Sequence, residues 1–247
     1  MLSEQMVAVL ALLDGAGAGG LSTELLPAAA AAAVALGVDG VSAGVGVGPQ
    51  GAVVAWGREA VAVALDDLQF TIGQGPGLEA AAAGEPVLVS DLREQVSRWP
   101  GFVSGALELE VRAVFAFPLR IGAISVGVLT AHRAVSGPLV ERQLVDALAL
   151  AEAVGLLLLN WAPADTGDGG PREDGPREDG PRPGWAQPVT HRAEVHQATG
   201  MISVQLDVSL AEALVRLRAH AYAQERPIAE VAADVVARRL RFQEPNP

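Results

Sequence analysis

Six residues near the C-terminal end carry the chemistry that stands out in this sequence: Arg216, Arg218, Tyr222, Arg238, Arg239 and Arg241. Tyr222 is the only tyrosine, and all 17 basic residues are arginine. A guanidinium is flat and permanently charged. Its donors fork onto phosphate or carboxylate oxygens, and its plane stacks on rings. Cations of this kind beside one aromatic suit a polyanion that exposes flat rings. A plainer role exists for two of them. Arg216 stands four residues after Glu212, the spacing of a solvated helix pair, and Arg218 can support helix packing.

Elsewhere reactive chemistry is thin. The chain has no cysteine and no lysine. That removes thiolate nucleophiles, iron–sulfur clusters, disulfides, Schiff-base lysines and a P-loop lysine. His132 ends a strand beside Arg133, and His191, His196 and His220 are spread over the tail without metal-ligand spacing. Asp66 and Asp67 are adjacent, so on a helix or strand they point different ways and make no acid–base pair. Asp91 reads as a loop cap. Gly73-Gln-Gly-Pro-Gly77 supplies turn geometry, with no lysine after it to complete a phosphate cradle. The expectation is a protein that is not an enzyme, with no cofactor and no metal.

The elements that must position the arginines are three short amphipathic helices within residues 188–242. Val195, Ala198, Met201 and Ile202 recur at helical spacing in the first. Ser209-Leu-Ala-Glu212 reads as a capping box opening the second, with the serine oxygen taking a free N–H and Glu212 reaching back to the cap. Leu210, Ala213, Leu214, Leu217 and Ala221 are its apolar stripe. Arg226-Pro227 stops that helix and starts the third, since proline fits a first turn. Ile228, Val231, Ala232, Val235 and Val236 are the third stripe. Helices this short are not stable alone and must pack together.

Charge divides the chain. The formal net charge is −12, which argues against broad, charge-driven nucleic-acid binding. Between Pro188 and Pro247, however, seven arginines face seven acids. The tail is neutral, and the acidity lies upstream of it. Residues 163–187 form a linker in which GPRED occurs twice. Proline, glycine and charge dominate there, and no apolar face can be buried.

Before the linker, residues 22–162 read as α+β, and residues 1–21 hold a short apolar helix. A second helix over 22–36 carries Ser22 as its cap. Gly40–Val47 and Ala52–Trp56 suggest a hairpin around Gly48-Pro-Gln-Gly51. Arg58–Phe70 reads as a helix or a short strand and helix, Leu78–Ala83 as a helix, and Pro86–Ser90 as a strand. Residues 96–110 mix loop and helix. Ala113–Ile121 and Ala123–His132 form the strongest hairpin, turning at Gly122, and Leu139–Trp161 is a long exit helix. No stretch is long and apolar enough to span a membrane. Acids at the N-terminus, where a signal peptide carries positive charge, point to the cytoplasm.

The tail resembles the ANTAR domain, a three-helix RNA-binding module of bacterial transcription antiterminators. The residues that carry this are Gln197-Ala-Thr-Gly-Met201, Ala213 with Leu217-Arg218 and Ala221, and Val231-Ala232. The upstream region resembles a GAF domain through Phe70–Gly77, Gly84–Leu92, Arg98-Trp-Pro-Gly-Phe102 and Val111–Leu119 followed by Ile124–Thr130. It looks like the GAF type that actinobacteria place before an ANTAR domain. The expected fold is therefore an α+β GAF-like sensor domain, with an antiparallel sheet flanked by helices, followed by an all-α three-helix ANTAR bundle. Residues 243–247 are a short tail.

The resemblance implies a signal-responsive antitermination regulator. Such a protein holds tandem hairpin loops of nascent RNA as a homodimer, one ANTAR domain per loop. The six residues above are its candidate RNA contacts, since bases splayed from single-stranded loops stack on aromatic or guanidinium planes. The exit helix and the N-terminal helix are candidate dimer faces. Trp56, Phe70, Trp99, Phe102, Phe115 and Phe117 are candidate walls of a small-molecule ligand pocket in the GAF region, with ordinary core as the alternative. Cyclic-nucleotide GAF domains use an Asn–Lys motif, and methionine sulfoxide reductases of this fold use cysteines. This chain has neither lysine nor cysteine. The rival reading is a GAF sensor whose helical tail mediates protein association or binds duplex DNA.

Overall fold

The computed structural model describes residues 1–17, 25–45, 53–57, 59–122, 124–160, 186–224 and 226–243. Ser22, the turn at 48–51, the linker over 163–187 and residues 244–247 lie outside them or at their margins, as does residue 123. The chain divides into two compact units, Met1–Trp161 and Ala162–Pro247. Among the described residues no single helix is long and apolar enough to cross a membrane.

The first unit is built on five antiparallel strands: β1 (Gly40–Val45), β2 (Val53–Trp56), β3 (Val87–Val89), β4 (Ala113–Ile121) and β5 (Ile124–Arg133). Their order across the sheet is β2-β1-β5-β4-β3. β4 and β5 form the expected hairpin, with Ile121 opposite Ile124 and Gly122 in the left-handed region at φ 59°. The β1–β2 pair joins this hairpin through β1 on β5, and the single edge strand β3 joins it on β4.

Both faces of the sheet are covered, which explains why β4 reads as a nearly unbroken apolar run. On one face lie α1 (Glu4–Gly17), α2 (Leu25–Leu36) and α6 (Glu141–Asn160). Met6, Val9 and Leu13 of α1, Ala28, Ala32 and Leu36 of α2, and Leu150 and Val154 of α6 close on Phe115, Phe117, Leu119, Leu129 and Ala131. The alanines of α2 leave no bulk at these positions, so the helix backbone can come close to its neighbours. α1 is anchored at its start by a contact remote in sequence. The Ser3 hydroxyl accepts from Met6 N at 3.1 Å, and Ser3 N donates to Asp146 Oδ1 of α6 at 3.0 Å. Asp146 is buried, with a backbone donor for its carboxylate.

The opposite face carries α3 (Ala60–Ile72), α4 (Pro76–Ala83), a 3₁₀ turn (Leu92–Gln95) and α5 (Pro100–Glu108). Leu65, Ala80, Trp99, Phe102, Val103 and Ala106 pack there on Val114, Ala116 and Val128. The segment 58–70, left open between helix and strand by its pattern, is helix from Ala60. Glu59 fixes that start by accepting from Val61 N and Ala62 N. Asp91 accepts from Arg93 N and so caps the 3₁₀ turn, as its position implied. Gly57 joins the edge strand to α3 at φ 70°. A Cβ there would lie 1.9 Å from the Val41 carbonyl oxygen, so no other residue fits.

The second unit contains α7 (Ala186–Leu206), α8 (Leu210–Ala223) and α9 (Ile228–Val236). Its buried apolar residues, among those described, are Val195, Ala198, Ile202 and Leu206, then Ala213, Leu214, Leu217 and Ala221, then Ile228, Val231, Ala232 and Val235. Three expected stripe positions differ. Leu210, in the first turn at the cap, is 54% exposed, while Met201 and Val236 are half-buried. The buried face is narrower because alanines let the helices approach closely, and residues at its margin remain wet. The capping box is also half formed. Ser209 Oγ accepts from Glu212 N at 3.2 Å, but the Glu212 carboxylate takes Arg216 Nη2 at 2.6 Å. The charged partner one turn along outcompetes a neutral backbone N–H.

Candidate nucleic-acid interface

The candidate RNA contacts sort into held and available groups. Arg216 is paired with Glu212, as its spacing suggested. Arg218 is half-buried, and burial lowers its pKa from the ordinary guanidinium value. Tyr222 is 69% exposed, late in α8. Arg239 is tied to Asp234, its Nε 2.8 Å from Oδ1. Asp234 also accepts from Arg226 Nη2 at 2.8 Å through its other oxygen. The Arg226 and then the Arg239 hydrogen bond hold its carboxyl below the usual range, against a smaller raising effect of burial. Arg238 and Arg241 are exposed and have no ion pair among the described residues.

The backbone after α9 brings these groups back onto the bundle. Arg238 adopts the left-handed region at φ 59°, and Arg239 N and Leu240 N both donate to the Asp234 carbonyl. Phe242 N donates to Gln205 Oε1 of α7 at 2.9 Å, and its ring lies 5.1 Å from the ring of His220 in α8. Residues 241 and 242 thus return to the end of α8 that carries Tyr222. Phe242, Gln205 and Asp234 were not singled out by sequence reasoning. The only local signal was an aromatic isolated among arginines.

The six aromatic candidates for a pocket are divided between the two faces of the sheet. Trp56, Phe115 and Phe117 belong to the core between the sheet and α1, α2 and α6. Trp99 and Phe102 belong to the opposite core, where their rings meet edge to face at 6.2 Å. Phe70 is buried on α3. The alternation of a strand puts Phe115 and Phe117 on one face and Val114 and Ala116 on the other, so one cavity cannot take walls from both sets.

That second face holds a buried polar group instead. Ser42 and Thr130 are cross-strand partners, as are Gly40 and His132, and α3 with its buried Gln69 packs across β1 and β5. His132 Nε2 lies 3.6 Å from Glu59 Oε2, while Nδ1 is buried with no hydrogen-bond partner among the described residues. Burial lowers the His132 pKa, opposed by the charges of Glu59 and Asp39. Gln69 Oε1 accepts from Gly77 N at 2.7 Å. The glycine-rich turn is therefore tied to α3, and this is the turn role expected of residues 73–77.

These features define a protein of two kinds of unit: an antiparallel α+β sandwich and an arginine-bearing three-helix bundle. Residues 187–236 match the family model of the ANTAR domain. In fold the chain is similar to the GAF domain of a phosphoenolpyruvate-protein phosphotransferase from Coxiella burnetii, at 16% identity, covering 64% of this chain and 95% of that one with a TM-score of 0.45. The corresponding Acinetobacter domain gives 14%, 64%, 95% and 0.47. A free methionine-R-sulfoxide reductase from Neisseria meningitidis gives 18%, 65%, 94% and 0.43. No curated protein is a match.

Proposed function

We propose that this chain is a signal-responsive transcription antitermination regulator whose residues 188–242 bind hairpin loops in nascent RNA. The observation that carries the reading is the ANTAR match over residues 187–236, on a bundle with exposed arginines and an exposed tyrosine. Holding tandem loops keeps the downstream strand from closing a terminator hairpin. Arginine and tyrosine planes stack on splayed bases while free guanidinium groups take phosphates.

Residues 22–162 act as sensor or dimeriser in this reading, and the protein works in the cytoplasm. α1 and α6 expose Val7, Leu12, Leu148 and Leu156. Apolar side chains gathered on two packed helices suit a second copy of the chain. The GAF-type unit contributes the buried face around Ser42, Thr130 and His132 as the place to look for a small ligand.

The decisive measurement is binding of the full-length chain to tandem-hairpin RNA and to matched duplex DNA. Tighter binding to the RNA is expected. Equal affinity for both, or none for the RNA, overturns the reading and favours protein association or duplex binding by the bundle. Sequencing of RNA crosslinked to the protein in its host then tests class and target together.

A further inference from the structure

We infer that residues 237–243 form an anchored arm that presents Arg238 and Arg241 to RNA phosphates, with Phe242 as its positioning residue. The inference rests on the RNA-binding reading above. The arm lies outside the ANTAR match, which ends at residue 236. It is nevertheless fastened to all three helices. Arg239 N and Leu240 N donate to the Asp234 carbonyl of α9, and the Arg239 side chain takes the Asp234 carboxylate. Phe242 N donates to Gln205 of α7, and the Phe242 ring packs on His220 of α8.

The three-residue spacing along the arm is informative. Residues 239 and 242 are anchors, whereas 238 and 241 are exposed arginines without an ion pair among the described residues. Arg238 lies in the left-handed region at φ 59°, with Arg238 N bonded to the Val235 carbonyl and Arg239 N to the Asp234 carbonyl, which is the ordinary Schellman stop of α9; what fixes the arm beyond it is the Phe242 contact with Gln205 and His220. The cations are favourable at a helix C-terminus in any case, through the partial negative charge of its free carbonyls. That effect fades within the last turn, so it accounts for Arg238 but not for Arg241.

An unneutralised cation on a fixed backbone also suits an acidic protein. RNA is favoured because the arm carries a ring pair of its own, Phe242 on His220 with centroids 5.1 Å apart, while Tyr222, about 200° further round α8, offers an exposed ring on another face. Rings together with guanidinium groups match single-stranded loops.

The test uses the full-length protein and tandem-hairpin RNA, with affinity measured across a salt series. Arg241→Ala and Phe242→Ala are each expected to weaken binding several-fold. The slope of log affinity against log salt should fall by about 0.7 for each phosphate that the protein no longer neutralises. The double variant should be no weaker than Arg241→Ala alone, and Phe242→Tyr should restore binding. If the wild type binds RNA but Arg238→Ala with Arg241→Ala leaves affinity and salt slope unchanged, the arm does not touch the RNA. If Phe242→Ala lowers the melting temperature and the affinity at an unchanged slope, Phe242 is only structural. Wild-type failure to bind RNA sinks the functional reading itself, and preference for an acidic polypeptide over RNA reassigns the arm to a protein partner.

Discussion

Arg239 donates through Nε to Asp234 Oδ1 at 2.8 Å, and so closes the last turn of α9 onto the carboxylate that Arg226 holds from the α8–α9 connection. One acid thereby joins both ends of α9 and neutralises two of the arginines nearest the proposed RNA surface.

Asp234→Asn is expected to lower the melting temperature of the C-terminal unit and to tighten RNA binding at low salt, since two guanidinium groups are released. The wild-type carboxyl is depressed by Arg226 and then Arg239. Its contribution to stability is therefore present above the ordinary carboxylate range and is lost as pH falls through the lowered folded value. Acid titration of the variant should lack that component, as measured by circular dichroism.

His132 predicts a pH response nearer neutrality for the first unit. Its pKa is depressed by burial, so the unfolded chain takes up the proton more readily than the folded one. Stability is full above the ordinary histidine value and falls as pH drops below it. Glu59 and Asp39 temper the effect. Urea unfolding at neutral and mildly acidic pH should show this loss, and His132→Gln should flatten it.

Ser209→Ala removes the acceptor for Glu212 N and should cost about 1 kcal/mol. The change should appear in the C-terminal transition alone. RNA affinity under conditions where the unit remains folded should stay near wild type, because the serine is not among the proposed contacts.

Leu217→Ala and Leu129→Ala each truncate a fully buried side chain, one in each unit. Each should cost about 2–5 kcal/mol. Calorimetry should resolve the two effects into separate transitions, with only Leu217→Ala destabilising the C-terminal unit.

Gly57→Ala should destabilise the first unit by at least about 1 kcal/mol, because a positive φ and a backbone oxygen both oppose a side chain there. A melting temperature equal to wild type would show that the β2–α3 connection can be rebuilt around a methyl group.

The β4–β5 hairpin and α8 were readable in the chain because their signals are local. A glycine turn between two apolar runs specifies a hairpin, and a serine before a 3.6-residue stripe specifies a helix start. Asp146 was not readable as the partner of Ser3, since 143 residues separate them and no periodicity records such a contact. The aromatic pocket candidates show the same limit. Their type promised burial, and they are buried, but type does not say on which face of a sheet.

Sequence alone determined most of the order of elements, leaving residues 58–70 and 96–110 open, together with the division of charge between the tail and the rest of the chain and the two family resemblances, all set by composition and short-range pattern. Tertiary structure decided which arginines are spent on carboxylates and which remain exposed. Asp234 takes Arg226 and Arg239, while the Phe242 anchor sets the arm with Arg238 and Arg241 outward. The physical reason is that ion pairing and chain reversal depend on distances across helices, and a one-dimensional pattern contains none of them.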